Sequence, residues 1–366
     1  MPAMASQAST VYVGLSGGVD SAVSAALLKE RGFTVVGVFI KIWQPEFIEC
    51  TWERDRLDAM RVAAHLNIPF REIDLSAEYK RHVINEMIAG YTRGETPNPD
   101  TLCNERIKFG SFFNWARTEG ADFVATGHYA QIMQKSKIKN QNDNIKSKNQ
   151  HRLIRSKDKE KDQSYFLYAL TQENLAHILF PVGGMTKREV RRAAERLRLP
   201  VAKKQDSQGL CFVGDVSMRE FLSRYIAIER GDVVDLDGRV VGEHEGAALY
   251  TIGQRHGFSH EKQTALPHYV VSVDTVQNIV RVSPRREDAT VSAITVGDIH
   301  WISGSDDTTR VKAVQIRYRE VASPCRTLTQ ETCVSVEIIE PRVAAPGQAA
   351  VFFNGEECLG GGIIHT

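Results

Sequence analysis

Net charge is what this chain lacks most plainly. Its 46 Lys and Arg against 45 Asp and Glu leave a formal +1 over 366 residues, so any affinity for nucleic acid must come from local basic patches. No apolar run approaches the roughly 20 residues that span a bilayer. Residues 1–10 carry neither a basic nor an apolar leader segment, so a cytoplasmic protein with no membrane partner is expected. Six cysteines occur, but no Cys-x-x-Cys pair, which removes zinc-site spacing. A disulfide framework is not expected in a reducing compartment, so each thiol is either a small buried hydrophobe or reactive. The length exceeds one typical core and predicts two or three domains.

A second absence lies inside the most informative run, Val11-Tyr12-Val13-Gly14-Leu15-Ser16-Gly17-Gly18-Val19-Asp20-Ser21. It reads as a buried strand, a glycine-rich turn and a helix. Backbone N–H groups and the Ser16 and Ser21 hydroxyls converge there, backed by a helix dipole, which suits phosphate. Val19 and Asp20 stand where a kinase-like loop needs Gly and Lys. A nest without that lysine suits enzymes that split ATP between its α and β phosphates.

Strand and helix alternate through the first part. Strands are expected at 11–15, 33–40, 70–75 and 123–126, and helices at 21–31, 55–66 and 104–118. This predicts a doubly wound parallel sheet, with ligands at the carboxyl ends of its strands. Residues 134–150 are rich in Lys and Asn and almost free of apolar side chains, which predicts a solvated surface insertion. Beyond residue 205 short β-rich runs take over. Alternation through 311–318 and 334–338 predicts a small antiparallel barrel or sandwich.

Three further runs carry candidate chemistry. In Thr96-Pro97-Asn98-Pro99-Asp100-Thr101-Leu102-Cys103-Asn104, two prolines stiffen a loop ahead of a helix. Asp100 is a candidate acid or base, and Cys103 a thiol activated near a helix N-terminus; turn and capping chemistry beside an incidental cysteine explains the run equally well. Around Gln208-Gly209-Leu210-Cys211-Phe212, glycines expose a second thiol. Were Cys103 and Cys211 to meet, one could carry a transferable sulfur and the other resolve the disulfide. In residues 159–168, Lys161 and Gln163 are candidate phosphate or base contacts and Ser164 a helix cap, while Tyr165, Phe166 and Tyr168 either stack on bases or fill the core. Arg317-Tyr318-Arg319 reads as a strand that contacts RNA or simply faces solvent. Residues 249–257 read as a substrate loop or a turn.

Together these motifs resemble the bacterial tRNA-specific 2-thiouridylases, a family of PP-loop ATP pyrophosphatases. The resemblance rests on Gly-Leu-Ser-Gly-Gly-Val-Asp-Ser, Thr-Pro-Asn-Pro-Asp-x-x-Cys-Asn, Ala-Thr-Gly-His-Tyr, Lys-Asp-Gln-Ser-Tyr-Phe-Leu, Gly-Leu-Cys-Phe-Val-Gly and Pro-Gly-Gln-x-Ala-Val-Phe, in that order. It implies an adenine nucleotide α-hydrolase-like domain over 1–208, a small central β-rich domain over 209–285 and a tRNA-contacting β-barrel over 286–366.

The activity implied is sulfur transfer to C2 of the tRNA wobble uridine, with ATP and Mg²⁺, an upstream sulfur donor and a monomeric enzyme. Gly14, Leu15, Ser16, Gly17, Gly18, Val19, Asp20 and Ser21 would hold ATP, with Ile40 (more often Met in the family) and Gly127 lining the adenosine pocket. Asn98, Pro99 and Asp100 would receive the base, Asp100 as acid or base. Cys211 would carry the persulfide and Cys103 act as nucleophile. His128, Lys161, Asp162, Gln163, Arg317, Tyr318 and Gln348 would contact tRNA. For Cys325, Cys333 and Cys358 the core reading stands. The alternatives are another PP-loop adenylating ligase or tRNA-modifying enzyme, and a non-catalytic tRNA-binding or sulfur-carrier protein.

Overall fold

The computed structural model describes residues 8–47, 52–134, 150–205, 216–259 and 267–365. Cys50, Cys211 and the Lys/Asn-rich run 135–149 lie outside the described residues.

The first part carries β1 (Thr10–Gly14), β2 (Thr34–Lys41), β3 (Phe70–Asp74), β4 (Phe123–Ala125), β5 (Ala130–Gln134), β6 (His151–Arg155) and β7 (Ile178–Leu179). Five of them form the expected parallel sheet in the order β3-β2-β1-β4-β7. Side chains alternate across it with period 2. Val11, Val13, Val35 and Phe39 pack on α1 (Val19–Glu30) and α2 (Trp52–His65), whereas Tyr12, Val36 and Val38 pack on Ile107, Phe112 and Phe113. Both faces are covered, so the strands read as continuous apolar runs.

Two helical stretches depart from expectation. Residues 76–92 are helical and bury Tyr79, Val83, Ile84 and Met87, although no helix is expected there. The helix expected over 104–118 starts earlier, at Pro99. Asn98 is its N-cap, accepting the Asp100 N–H at 3.0 Å, and Pro99 takes the first helical position, where a missing N–H costs nothing. Cys103 therefore lies beyond the first turn, at the start of a π-helical segment, Cys103–Phe112. The helix-terminus field expected to activate its thiol falls off within that turn.

Strands β5 and β6 leave the parallel sheet as an antiparallel hairpin, and the Lys/Asn-rich run joins their far ends. The central region contributes the helix Met218–Leu222 and strands β8 (Gly231–Val234), β9 (Val240–His244), β10 (Tyr269–Asp274) and β11 (Ile279–Ser283), in the order β10-β11-β8-β9. The last part holds β12 (Val291–Trp301), β13 (Ala313–Gln315), β14 (Ser323–Thr329), β15 (Val334–Arg342), β16 (Ala349–Asn354) and β17 (Glu357–His365). They run β12-β15-β14-β13-β16-β17, and β12 pairs with β17 to close a barrel. Closure removes the exposed edges an open sheet would present. The hairpin then docks on the outside, Cys358 of β17 lying opposite Leu153 of β6.

The strand expected over 311–318 shrinks to β13. Arg317-Tyr318-Arg319 forms the following turn, with Arg319 at φ +68°, which ends extended backbone. Cys325 and Cys358 are core residues whose thiol pKa values burial raises to about 11 and about 12. Cys333 departs from the core reading: it is half-exposed in the turn after β14, 3.4 Å from Gln330 Oε1.

Candidate active site

The glycine-rich loop lies at the carboxyl end of β1. The Leu15 N–H bonds to the Val38 carbonyl at 2.7 Å, which ties the loop to β2. The Ser21 hydroxyl accepts the Ser16 N–H at 3.2 Å and donates to the Gly18 carbonyl at 3.2 Å, while the Ser16 hydroxyl accepts the Gly18 N–H at 3.4 Å. Gly17 has φ +72°, and a Cβ on it would collide with the Asp55 carbonyl. Only glycine turns there without strain. Gly18 is the N-cap of α1 and provides no side-chain cap, so the first N–H groups of that helix remain open to an anion.

Neighbouring strand ends complete this corner. The Ile40 side chain lies over Gly14, 3.7 Å from where a Cβ would be. Gly127, just past β4, presses on the start of α1, where a Cβ would stand 2.7 Å from the Ser21 nitrogen. Asp20 does not point into open solvent. Its carboxylate accepts the Tyr129 hydroxyl at 2.8 Å and the Lys187 ammonium at 2.8 and 2.9 Å. Sequence reasoning missed Lys187, which lies 167 residues downstream.

A second cluster continues from Gly127. His128 is buried between Phe109 and Phe180. Its Nε2 faces the Lys108 ammonium at 3.4 Å and its Nδ1 faces the Thr126 hydroxyl at 2.7 Å. An ammonium only donates, so Nε2 accepts and Nδ1 carries the proton. Burial first, then the Lys108 charge, holds the His128 pKa well below 6.5, so the ring is neutral at pH 7. Lys108 also acts on Asp100. Burial raises the Asp100 pKa above its ordinary 3.8, and the Lys108 charge partly opposes that. A carboxyl so placed exchanges a proton nearer neutrality than a solvated one.

Asp100, Asn104 and Lys108 succeed one another at four-residue spacing along the same helical stretch, with Cys103 beside Asn104. Asn104 is 3% exposed and its Oδ1 has no hydrogen-bond partner among the described residues. Lys108 and Asn104 also escaped sequence reasoning. An apolar-period search skips polar residues on a buried helix face, yet their spacing from Asp100 was the available signal.

The expected tRNA contacts divide into two kinds. Asp162 is a buried strut: its carboxylate accepts the Ser156 N–H at 2.8 Å, Arg155 at 2.8 Å and the Ser164 hydroxyl at 2.7 Å. Ser164 is thus an anchor, not the helix cap expected. Gln163 is tied to the Tyr129 backbone at 2.9 Å. Tyr165, Phe166 and Tyr168 are buried, as the core reading has them. Lys161 and Arg317 are half-exposed or exposed. Tyr318 packs its ring 4.2 Å from Phe166, and its hydroxyl lies within the field of both Asp100 and Asp162. The barrel thereby reaches the helical stretch that carries Asp100.

Gln348 donates to the Thr96 carbonyl, and the Thr96 N–H bonds to the Pro346 carbonyl at 2.7 Å. The Thr96 hydroxyl meets that of Thr251 at 3.1 Å. The 249–257 run is therefore a junction that helps clamp the loop before Asn98. Cys103 is 9% exposed within the large core. Its convergence with Cys211 falls outside the described residues.

A parallel sheet with a lysine-free phosphate loop, a small β domain and a closed barrel define a PP-loop adenine-nucleotide protein with two appended β modules. Family models agree in three pieces: a tRNA methyl transferase HUP domain over residues 9–215, a PRC-barrel domain over 219–284 and an aminomethyltransferase β-barrel domain over 291–364. Named relatives are more specific. The tRNA-specific 2-thiouridylase MnmA of Nitrosomonas eutropha is 41% identical, covering 97% of this chain and 98% of the relative. The protein of the same name from Proteus mirabilis is 42% identical, covering 97% of both chains. The one from Streptococcus thermophilus is 41% identical over 97% of this chain and 94% of the relative. This chain belongs to the tRNA-specific 2-thiouridylase family.

Proposed function

We propose that the chain replaces the C2 oxygen of the tRNA wobble uridine with sulfur at the expense of ATP. One observation carries this reading. The phosphate loop connects through Gly127, His128 and Lys108 to the helix bearing Asp100 and Cys103, in a chain 41% identical to named 2-thiouridylases over almost its whole length. A nucleotide on the loop thus adjoins a titratable acid and a thiol.

Residues 14–21 would hold the triphosphate through N–H groups of the loop and the start of α1, with Ile40 and Gly127 against the adenosine. The base would enter beside Asn98, Pro99 and Asp100, flipped out of its stack. Carbonyl oxygen leaves poorly, so the uridine O2 attacks the α-phosphorus and the bond to the β-phosphate breaks, releasing pyrophosphate. Asp100 manages the proton as the uracil oxygen becomes a phosphate ester.

A sulfur donor loads Cys211 as a persulfide. Its outer sulfur bonds to C2, the C2–O bond breaks and AMP departs with the former uridine oxygen. The Cys103 thiolate closes a disulfide with Cys211, and the two thiols thereby provide the electron pair the outer sulfur takes up. Lys161, Gln163, Arg317, Tyr318 and Gln348 would contact the tRNA, with Gln348 and Tyr318 already bridging the barrel to the first domain.

Among the described residues no group of three or more His, Cys, Asp or Glu converges as a metal cage. Mg²⁺ fits this site only as a companion of the phosphates, with Asp20 the nearest loop carboxylate, and would neutralise their charge. No helix of the described residues is long and apolar enough to cross a membrane. The reading takes the chain as a cytoplasmic, monomeric enzyme with units at 1–208, 209–285 and 286–366.

The test is mass spectrometry of the wobble uridine after incubation of tRNA with the chain, ATP, Mg²⁺ and a persulfide donor, whose outer sulfur already stands at the oxidation level that Cys211 is to carry. A gain of sulfur at C2 that Cys103→Ser and Cys211→Ser each abolish is expected. A full gain of sulfur in both variants would overturn the roles given to the two cysteines, and no gain with the unaltered chain would point to a PP-loop ligase instead.

A further inference from the structure

Lys108 is a half-buried cation without a counter-ion. Other half-buried lysines hold carboxylates: Lys41 pairs with Asp74 at 2.9 Å, and Lys204 with Asp55 at 2.8 Å and Asp58 at 2.7 Å. Lys108 makes no ion pair among the described residues. Its polar neighbour is the uncharged His128, whose Nε2 accepts at 3.4 Å. Asp100 lies within its field but outside ion-pair contact. An ammonium partly withdrawn from water and left uncompensated calls for an anion.

Its position says which anion. On one side stands Asp100, where the base is to enter. On the other, His128 follows Gly127, which presses on the Ser21 nitrogen at the start of α1, among the N–H groups left open to phosphate. The ammonium thus lies between the nucleotide and the base. Of three phosphates, only the α-phosphate has to meet the base oxygen. Three N–H groups project from an ammonium, and His128 takes one, so two remain. The His128 ring is itself fixed, by Thr126 at 2.7 Å and by Phe109 and Phe180 on either side.

Given the ATP reading above, on which this rests, we infer that Lys108 is a catalytic residue that holds the α-phosphate through both steps of the reaction. As the uridine O2 bonds to the α-phosphorus, the electron pair of the bond to the β-phosphate leaves with pyrophosphate. Lys108 N–H groups meet the charge on the non-bridging α oxygens. When sulfur bonds to C2, the C2–O electron pair leaves on AMP, and the same ammonium faces the phosphate that gains it. Lys108 itself transfers no proton.

The experiment is calorimetric binding of adenosine, AMP and ATP, in Mg²⁺, to the full chain and to Lys108→Met, Lys108→Gln and Lys108→Arg. A charge-assisted contact is worth about 10- to 150-fold in affinity. Lys108→Met and Lys108→Gln are expected to weaken AMP and ATP alike within that range and to leave adenosine unchanged, which certifies the fold. Lys108→Gln keeps a donor for His128, so it carries the test should Lys108→Met not fold. Lys108→Arg keeps the charge and should retain part of the affinity. In single turnover without a sulfur donor, tRNA-dependent pyrophosphate release should slow by about 10²- to 10³-fold in Lys108→Gln.

Full AMP affinity and pyrophosphate release in Lys108→Gln would overturn the inference and make Lys108 a prop for His128 only. Loss of ATP affinity without loss of AMP affinity would move the cation to the outer phosphates, and equal loss for adenosine would make its role structural; both also overturn it. A wild-type chain that binds no nucleotide at all would instead sink the ATP reading, and the inference with it.

Discussion

Asp162 separates two explanations of one motif. It lies in the Lys-Asp-Gln run expected at the tRNA surface, yet its carboxylate faces inward. Arg155 is 17% exposed at the side chain and Asp162 6%, with 2.8 Å between them. Arg155 also donates to Gln315 of β13 at 3.0 Å and lies 3.7 Å from the centre of the Phe353 ring. The pair therefore fastens the β5–β6 hairpin to the barrel. Removing one member of a buried pair leaves an uncompensated charge and costs about 3–5 kcal/mol. Asp162→Ala should thus lower the melting temperature by at least about 6 °C, taking about 2 °C per kcal/mol for a domain of this size. Asp162→Asn keeps the shape and loses the charge, so a smaller drop is expected. Calorimetric melting, paired with anticodon stem-loop binding at a temperature where both proteins are folded, makes the comparison. An Asp162→Asn variant that melts with the wild type but no longer binds RNA would refute the strut and make this carboxylate a tRNA contact.

Asn104→Leu should raise stability by about 1–3 kcal/mol, because it removes a buried carbonyl that has no donor among the described residues, and should lower thiolation turnover. A fall in the urea midpoint would show that the amide holds the fold together. Gly127→Ala should push the Ser21 nitrogen away from its place, an overpacking worth about 1–3 kcal/mol, and weaken ATP by roughly tenfold; unchanged ATP affinity would separate Gly127 from the nucleotide. His128 titrates below 6.5 when folded, so on acidification the unfolded chain takes up the proton first. The stability it contributes is present above about pH 6.5 and is lost as the pH falls from there toward the depressed folded value. His128→Asn should flatten that part of the profile of unfolding free energy against pH, and parallel profiles for the two proteins would show that the ring is solvated.

The local rules were enough for four strands of the parallel sheet, though not for its short edge strand β7. Apolar runs of strand length, an alanine-rich helix closed by Gly32 and a glycine turn between them depend on neighbouring residues only. Asn98-Pro99 carries the signal of its helix start, a cap followed by a proline at the first helical position. The helix over 76–92 was harder to see, because its buried side chains are spaced through polar residues and meet their partners only after folding. The turn at Arg317 was hidden for a similar reason: alternation continues through it, while β13 stops at Gln315 and Arg319 takes a positive φ.

By itself the sequence determined the chemistry on offer: a lysine-free phosphate loop, a capped Asn-Pro-Asp turn and two candidate thiols. Tertiary structure decided which groups meet. Lys187 reaches Asp20, Lys108 stands between Asp100 and His128, and Gln348 and Tyr318 of the barrel close on the first domain. Contacts across such separations are set by packing and topology, and residue spacing along the chain holds no record of them.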